Sequence, residues 1–315
     1  MILIVTNRED VTADFVVLEL KERKKKFIRF NTEDFPEKVA TKVSCVGKRF
    51  LGYFNFKPSL PFSAIKSIWY RRPLLPCFSK IPKEYRDFCK RETLFTLNGI
   101  WNNLNCFWVS NPTSIHLAEN KLTQLKLATD IGFLIPSTII SNNYPEIKKF
   151  WENHKGNIII KPIKAGILND REVVFTSKVK LENLKHLQRS LPLPSIYQKN
   201  IEKVLDLRIN VIGKKLFSTA IYSQKNKDSV VDWRKAQDIN LPHEKYELPP
   251  YIKSKCFDLV KSLGLEFGAI DMIYAKDGKY YFLEINPNGQ WAWIEKRTGV
   301  KLTAALTDLL IRGRS

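Results

Sequence analysis

FGAIDMIYAKDGKYYFLEINPNGQWAW, residues 267–293, carries two apolar runs, 269–275 and 280–285, around Asp277-Gly278. Asp-Gly is a dipeptide favoured in two-residue type I′ hairpins. With those two residues as the turn, Lys276 faces Lys279, and counting back along both strands brings Asp271 opposite Glu284. Asn286 then shares their face, because side chains alternate with a period of two. Like charges directly opposite each other in a sheet repel, so a strand pair aiming Asp271, Glu284 and Asn286 at one point needs a cation there. Three oxygen ligands, two of them anionic, suit Mg²⁺, which keeps positions open for water and phosphate oxygens. On the hairpin alone, a solvated face whose acids never meet is an equal reading. The rest of the chain has to decide.

At 315 residues the chain is long enough for two domains, or three small ones, with ample core. An apolar content of 44% and a charged content of 27% are ordinary for a globular protein. No run approaches the roughly eighteen apolar residues of a membrane span. The opening MILIVTNRED is too short and too soon acidic for a signal peptide, and reads as a buried first strand. Cys45, Cys77, Cys89, Cys106 and Cys256 are scattered, odd in number and without CxxC spacing. That argues against a disulfide framework or a zinc site and fits a reducing cytoplasm. His116, His154, His186 and His243 show no triad or metal spacing and read as surface or structural.

The net charge of +20 steers acidic partners toward the chain. Nucleic acid is the default partner for so basic a protein. Yet the basic residues are spread out, KERKKK (21–26) is the single dense run, and no nucleic-acid motif is recognisable. An acidic peptide or nucleotide phosphates would be attracted equally, and a lysine-rich background explains the charge with no partner at all.

Read in order, 2–6 is a strand, 10–22 a helix and 26–30 a strand, a small α/β opening. It lacks GxGxxG, so dinucleotide binding has no support. Runs 43–46 and 49–56 form a hairpin about Gly47-Lys48, and strand 67–70 ends in Arg71-Arg72-Pro73. Adjacent arginines at a strand end clamp a carboxylate or phosphate, or simply make a solvated edge. A long helix runs from Pro82-Lys83 to Asn103, and Trp101, Phe107 and Trp108 read as core. After a boundary near Asn111-Pro112, helix 114–130 is stopped by Gly132 and carries Asn120-Lys121 on its first turns. A short helix through Trp151 and the apolar strand 157–160 then deliver Lys161-Pro162, followed by a loop containing Gly166. Such a strand end presents one ammonium to phosphate oxygens. Strand 173–176 and helix 180–189 complete this region.

SIYQKNI (195–201) begins a third region, and 204–224 is a hairpin turning at Gly213-Lys214. Asp206 and Arg208, two apart in a strand, share a face. Asp232-Trp233-Arg234-Lys235 follows, then helix 251–263 ended by Gly264, the opening hairpin, and a last helix over 301–311.

Two phosphate-seeking lysines, two arginines and a carboxylate metal site suit one chemical problem. A carboxylate is a poor electrophile because its leaving group is oxide. Transferring the γ-phosphoryl of ATP to it makes an acylphosphate that an amine or hydroxyl attacks. Phosphoryl transfer is mainly positioning and charge neutralisation, so no general-base histidine is required.

The order and type of these elements resemble the ATP-grasp superfamily over nearly the whole chain. The resemblance implies a mixed α/β and α+β ATP-grasp fold. It has an N-terminal Rossmann-like pre-ATP-grasp domain (1–112) and two nucleotide-clamping lobes, 113–195 and 196–315, the last bearing the metal site. In the glutamate-ligase branch that modifies a ribosomal protein, a helix lysine and a KP strand lysine touch phosphates, and Lys121 and Lys161 match them. The Q-x-x-I hinge, whose backbone reads adenine, matches Gln198, Lys199, Asn200 and Ile201. The D-x-R strand matches Asp206, expected on the ribose, and Arg208, expected near the transferring phosphoryl. The DFR segment matches Asp232-Trp233-Arg234, with Arg234 toward the γ-phosphate or the substrate carboxylate. Arg208, Arg234 and Lys161 are thus the implied catalytic groups, and Asp271, Glu284 and Asn286 the metal ligands. Two departures stand out. Lys199 replaces the usual Glu of the hinge, and Gly166 is the single glycine in the loop after Lys161.

The ending LEINPNGQWAWIEKRTG and the early WYRRP look most like peptide maturases of the microviridin (graspetide) class. Those enzymes join Asp or Glu side chains of a ribosomally made precursor to its Ser, Thr or Lys side chains, as ω-esters or ω-amides. The resemblance implies ATP and two Mg²⁺ ions as cofactors, and a precursor with an acidic core and a leader segment. It places Arg71, Arg72 and Arg234 toward that substrate. It implies a cytoplasmic enzyme with no stable nucleic-acid partner and no membrane, and leaves room for a homodimer. Rival expectations are an ATP-grasp ligase adding amino acids to a protein or small acid, a pseudoenzyme that holds ATP without turnover, and a basic nucleic-acid-binding protein with incidental hairpin acids.

Overall fold

A computed structural model of the chain describes residues 1–76, 78–164, 167–169, 172–189, 193–235 and 241–314. Gly166 and Cys77 lie outside them. The apolar run at the start becomes the strand Ile2–Thr6, buried along its whole length in a parallel sheet ordered Phe27–Asn31, Ile2–Thr6, Ser67–Tyr70, Phe107–Val109. Continuous apolarity is what a strand covered on both faces requires. Ile2 and Ile4 pack toward helices Val11–Glu22 and Leu302–Arg312, while Leu3 and Val5 pack toward helix Lys83–Asn103 and Phe54. The hairpin Ala40–Val46/Arg49–Asn55 turns at Gly47-Lys48 as expected, with Gly47 at φ +58°.

Two further sheets face each other across a cleft. The first is antiparallel, ordered Ser177–Lys178, Ile158–Lys161, Ser195–Lys199, Thr138–Ser141, and backed by helices Tyr144–Asn153 and Leu181–Arg189 through Ile147, Phe150 and Leu184. The second is a five-stranded antiparallel sheet ordered His243–Lys245, Lys215–Ile221, Lys203–Ile212, Phe267–Ala275, Tyr280–Asn286. Leu205, Leu207, Ile209 and Val211 enter one core with helix Pro250–Ser262. Period-two alternation therefore turns Asp206 and Arg208 to the cleft side.

Two expectations need correction, and one helix was not foreseen. The helix expected over 114–130 is two helices, Pro112–Ala118 and Lys121–Ile131. Asn120 breaks it, because its side chain accepts from Leu122 N and Thr123 N and so caps a new helix. Lys121 is the first residue of that second helix. The strand expected over 173–176 is instead Glu172–Val173 and, separately, Ser177–Lys178. Helix Ala292–Thr298, ended by Gly299 in the left-handed region, had no counterpart in the sequence reading.

The deciding hairpin also differs from its expected form. Ala275 N–H donates to Lys279 O at 3.0 Å, so the loop is the three residues 276–278, with Gly278 at φ +76°. Lys276 does not face Lys279. Pairing runs Tyr274↔Tyr280, Ile273↔Tyr281, Met272↔Phe282, and then shifts to Asp271↔Glu284, leaving Leu283 as a bulge. The extra loop residue and the bulge offset one another. Without Leu283's extra place, the register near the turn would set Asp271 opposite a leucine and send Glu284 to the other face. Among the described residues no helix is long and apolar enough to cross a membrane.

Candidate active site

The cleft between the two sheets holds a cavity of about 350 Å³ bordered by Lys121, Lys161, Gln198, Asp206, Asp271 and Glu284. Lys161 comes from the end of strand Ile158–Lys161 and is 8% exposed. Among the described residues its ammonium has no hydrogen-bond or ion-pair partner. Burial pushes its ammonium down to about 8, with Glu284 pulling the other way. Lys121 Nζ lies 3.0 Å from Glu284 Oε2 and donates to Pro162 O at 3.1 Å.

Asp271 and Glu284 are paired across the ladder as the sequence suggested, and Asn286 is paired with Ala269 on the same face. Both carboxylates are already embraced by cations. Arg208 Nη1 donates to both oxygens of Asp271 at 2.8 Å. Burial pushes the Asp271 carboxyl up, Arg208 opposes it, and the neighbouring Glu284 charge adds to the rise. For Glu284, burial also pushes up, but Lys121, Lys161 and Arg234 outweigh it and hold the carboxyl well below its ordinary value. Arg234 Nη1 is 3.6 Å from Glu284 Oε1.

Arg234 is positioned by its own turn. Asp232, 4% exposed, accepts from Arg234 N at 3.1 Å and Nε at 2.8 Å through Oδ1, and from Nη2 at 2.9 Å through Oδ2. An Asp side chain folding back onto a backbone N–H two residues on is a common local turn. Asp232 also accepts from Thr176 N at 3.3 Å, tying this turn to the opposite sheet's loop.

The donor set of Asp271, Glu284 and Asn286, two carboxylates and an amide in one oxygen-rich corner, fits a hard divalent ion. Asn286 Oδ1 accepts from Asn288 N at 2.9 Å and keeps a lone pair. Among the described residues no cluster of three or more His, Cys, Asp or Glu gathers, so a nitrogen- or sulfur-rich metal site has no basis there.

Other expected residues lie where they were sought but with different partners. Asp206 borders the cavity, yet Lys203 Nζ holds its Oδ1 at 2.8 Å and Ser223 Oγ donates to its Oδ2. In the hinge, Gln198 borders the cavity and donates to Thr138 Oγ1 at 2.8 Å. Lys199 N–H donates to Ser137 O and Asn200 N–H to Asn157 O, so these two amides are spent on neighbouring backbone. The Lys199 side chain is exposed and Ile201 is half-buried.

Arg71, expected toward the substrate, is held by protein partners. Its side chain is 1% exposed, and its Nε lies 2.8 Å from Asp10 Oδ2. Its Nη1 donates to Gly289 O at 3.1 Å and Asn288 O at 3.3 Å, and its guanidinium sits 5.4 Å over the Trp69 ring. It does not form a solvated edge. It braces the loop after Asn286 against the N-terminal sheet. Arg72, by contrast, donates Nε to Asn288 O at 3.1 Å and borders a second cavity of about 430 Å³. That cavity shares Asp271, Glu284, Asn286, Trp233 and Arg234 with the first.

Several working residues left no sequence signal. Strand Tyr280–Asn286 is a sheet edge, and its Ile285 backbone is satisfied by Gln124, whose Oε1 accepts from Ile285 N at 3.0 Å and whose Nε2 donates to Ile285 O at 2.8 Å. A buried glutamine thus fixes the metal-side strand to helix Lys121–Ile131. Lys203, three before Asp206, was legible only as one more basic residue. His243, read as surface or structural, borders the second cavity with Trp293 and Arg297.

Comparison with known proteins matches residues 1–116 to an MvdD pre-ATP grasp domain and residues 118–310 to a RimK-like ATP-grasp domain. Among solved structures, a RiPP-associated ATP-grasp ligase of Chryseobacterium gregarium, in complex with ADP and a leader and core peptide, is 28% identical. The match covers 100% of this chain and 97% of that one, at TM-score 0.91. The Microcystis aeruginosa macrocyclase MdnC, bound with precursor peptide MdnA, is 31% identical over 99% of both chains, at TM-score 0.86. The macrocyclase MdnB of the same organism is 28% identical over 99% of both chains, at TM-score 0.83. No curated protein matches the chain.

Proposed function

The chain belongs to the RimK-like ATP-grasp family, and from that premise we propose that it is an ATP-dependent ligase of a ribosomally made precursor peptide. It activates Asp or Glu side chains of that peptide as acylphosphates and joins them to Ser, Thr or Lys side chains. The observation that carries this reading is Lys161. Its buried ammonium faces the cavity with no hydrogen-bond or ion-pair partner among the described residues, an arrangement that is costly until compensated, and a phosphate oxygen is a ligand that compensates it. The cavity beside it has a volume suited to a nucleotide.

In this reading Lys121, at the start of its helix, and Lys161, at the end of its strand, hold phosphate oxygens from two sides of the cavity. Arg208 and Arg234, already oriented by Asp271 and Asp232, stabilise charge on the transferring phosphoryl and on the substrate carboxylate. Gln198 borders the adenine end, and Asp206 meets the ribose through lone pairs that Lys203 and Ser223 leave free. Asp271, Glu284 and Asn286 hold Mg²⁺, which when bound neutralises phosphate oxygens. Two ions, 1–112 as the pre-ATP-grasp domain, and 113–195 and 196–315 as the clamping lobes belong to the same proposal. Two of the solved relatives are complexes with a precursor or a leader and core peptide, which supports a peptide substrate here. The +20 charge suits an acidic one.

The test is to incubate the protein with ATP, Mg²⁺ and a candidate acidic precursor peptide carrying Asp or Glu together with Ser, Thr or Lys. The expected result is ADP formation and loss of one water per new bond by mass spectrometry. ATP hydrolysis with free amino acids instead, and no dehydrated peptide, would favour the amino-acid-adding alternative.

A further inference from the structure

Asp271 lies on strand Phe267–Ala275, which has a neighbour on each side, but Glu284 and Asn286 lie on Tyr280–Asn286, the last strand of the same sheet. An edge strand leaves one row of backbone N–H and C=O groups without a ladder partner. Here the bulge at Leu283 also interrupts the pairing just before Glu284. A slip of one residue would turn Glu284 and Asn286 away from Asp271. Something has to pin this edge.

Gln124 does so. Its Oε1 accepts from Ile285 N at 3.0 Å and its Nε2 donates to Ile285 O at 2.8 Å, so the side-chain amide supplies the acceptor and the donor that a further strand would. Ile285 stands between Glu284 and Asn286, and a clamp on both of its backbone groups fixes the chain on either side. Nε2 also donates to Ala118 O at 2.6 Å, where helix Pro112–Ala118 ends. With both amide protons spent on backbone and the residue 3% exposed, Gln124 acts on the cleft through the strand. Lys121, three residues earlier on the same helix face, lies 3.0 Å from Glu284. Helix Lys121–Ile131 therefore holds this strand by backbone and by side chain at successive residues.

We infer that Gln124 is a positioning residue for the divalent ion. By clamping Ile285 it sets the spacing of Glu284 and Asn286 from Asp271, and with it the affinity for Mg²⁺. The inference rests on the metal site of the proposed function. Mg²⁺ demands near-ideal octahedral geometry with oxygens at roughly 2.0–2.1 Å, so a ligand displaced by about half an ångström serves it poorly. Loss of a group that orients a metal ligand typically costs roughly 10–100-fold in metal affinity. A glutamine that merely stabilised the fold would lower the melting temperature and leave the affinity for the ion alone.

The experiment uses the full chain with ADP, so that no turnover enters the readout. Melting temperature is followed as Mg²⁺ is added at fixed ADP, and the Mg²⁺ concentration giving half of the rise is compared between proteins. Gln124→Met keeps the length of the side chain and removes its hydrogen bonds. The expected result is a half-point at least about tenfold higher for this variant, with ADP affinity in EDTA unchanged within about twofold. Gln124→Asn, one methylene too short to reach both Ile285 groups, should raise the half-point at least about threefold, and carries the test where Gln124→Met does not fold. Half-points within about twofold of the unaltered protein's, whatever the melting temperatures, would overturn the inference and leave the metal site standing. An equal loss of ADP affinity in EDTA would do the same, because the damage would then not be specific to the ion. A rise in the unaltered protein that needs no Mg²⁺ would overturn both the inference and the metal site.

Discussion

Lys161 and Arg71 are both buried cations, and the structure treats them in opposite ways. Arg71, at the seam of the N-terminal sheet and the loop after Asn286, is surrounded by Asp10, two carbonyls and the Trp69 face. Lys161, at the mouth of the cleft, has no partner among the described residues and sees Glu284 only as the nearest opposing charge. A cation paired with a carboxylate inside the protein is architecture. A cation left wanting is a binding site, and the fold tolerates it because the ligand completes the site.

The comparison can be broken most forcefully at Glu284, the acid that Lys161, Lys121 and Arg234 surround. Glu284→Gln should lower ATP-dependent turnover by at least about 100-fold, measured as ADP release, while circular dichroism stays native. Arg71→Ala should act on stability instead. Removing one member of a buried ion pair costs roughly 3–5 kcal/mol, which urea denaturation would register. If Arg71→Ala left stability alone and abolished turnover selectively, Arg71 would not be the brace described here.

Lys161 should also give the ligand-free protein a distinctive pH response. Its folded pKa of about 8 lies below the value near 10.4 of an unfolded lysine. Between those two values the unfolded chain holds the proton more tightly, so stability rises with pH through that window. Relative to Lys161→Met, the unaltered protein should gain roughly 1–3 kcal/mol between pH 8 and pH 10. Parallel denaturation curves for the two proteins across that range would remove Lys161 from the list of strained groups. The smallest effect is expected at the hairpin tip. Deleting Lys276 turns the three-residue loop into an Asp-Gly turn without moving Asp271 from Glu284, so stability and turnover should change by less than about 1 kcal/mol.

That hairpin also shows what could be read from sequence. The facing of Asp271 and Glu284 was legible, although the turn was one residue longer than its dipeptide suggested and a bulge at Leu283 restored the register. Local patterns do not display two compensating irregularities. Strand and helix periodicity likewise placed Asp206, Arg208, Lys161 and Gly47 without difficulty. What stayed hidden depends on distant neighbours. Gln124 earns its place 161 residues from Ile285. Arg71 reads like Arg72 until Asp10 and Gly289 are brought to it. Asn120 looks like one more helical residue until its side chain caps the next turn. His243 has no motif and acquires a cavity only when the edge strand His243–Lys245 folds beside helix Ala292–Thr298.

The most direct test of the central claim is the melting temperature of the unaltered protein and of Lys161→Met, with and without ATP and Mg²⁺. If Lys161 is a cation waiting for phosphate, nucleotide at about 100 times its Kd should stabilise the unaltered protein by roughly 2.7 kcal/mol. The variant, more stable when empty, should gain far less at the same concentration. Equal stabilisation of both proteins, or none of either, would contradict the account.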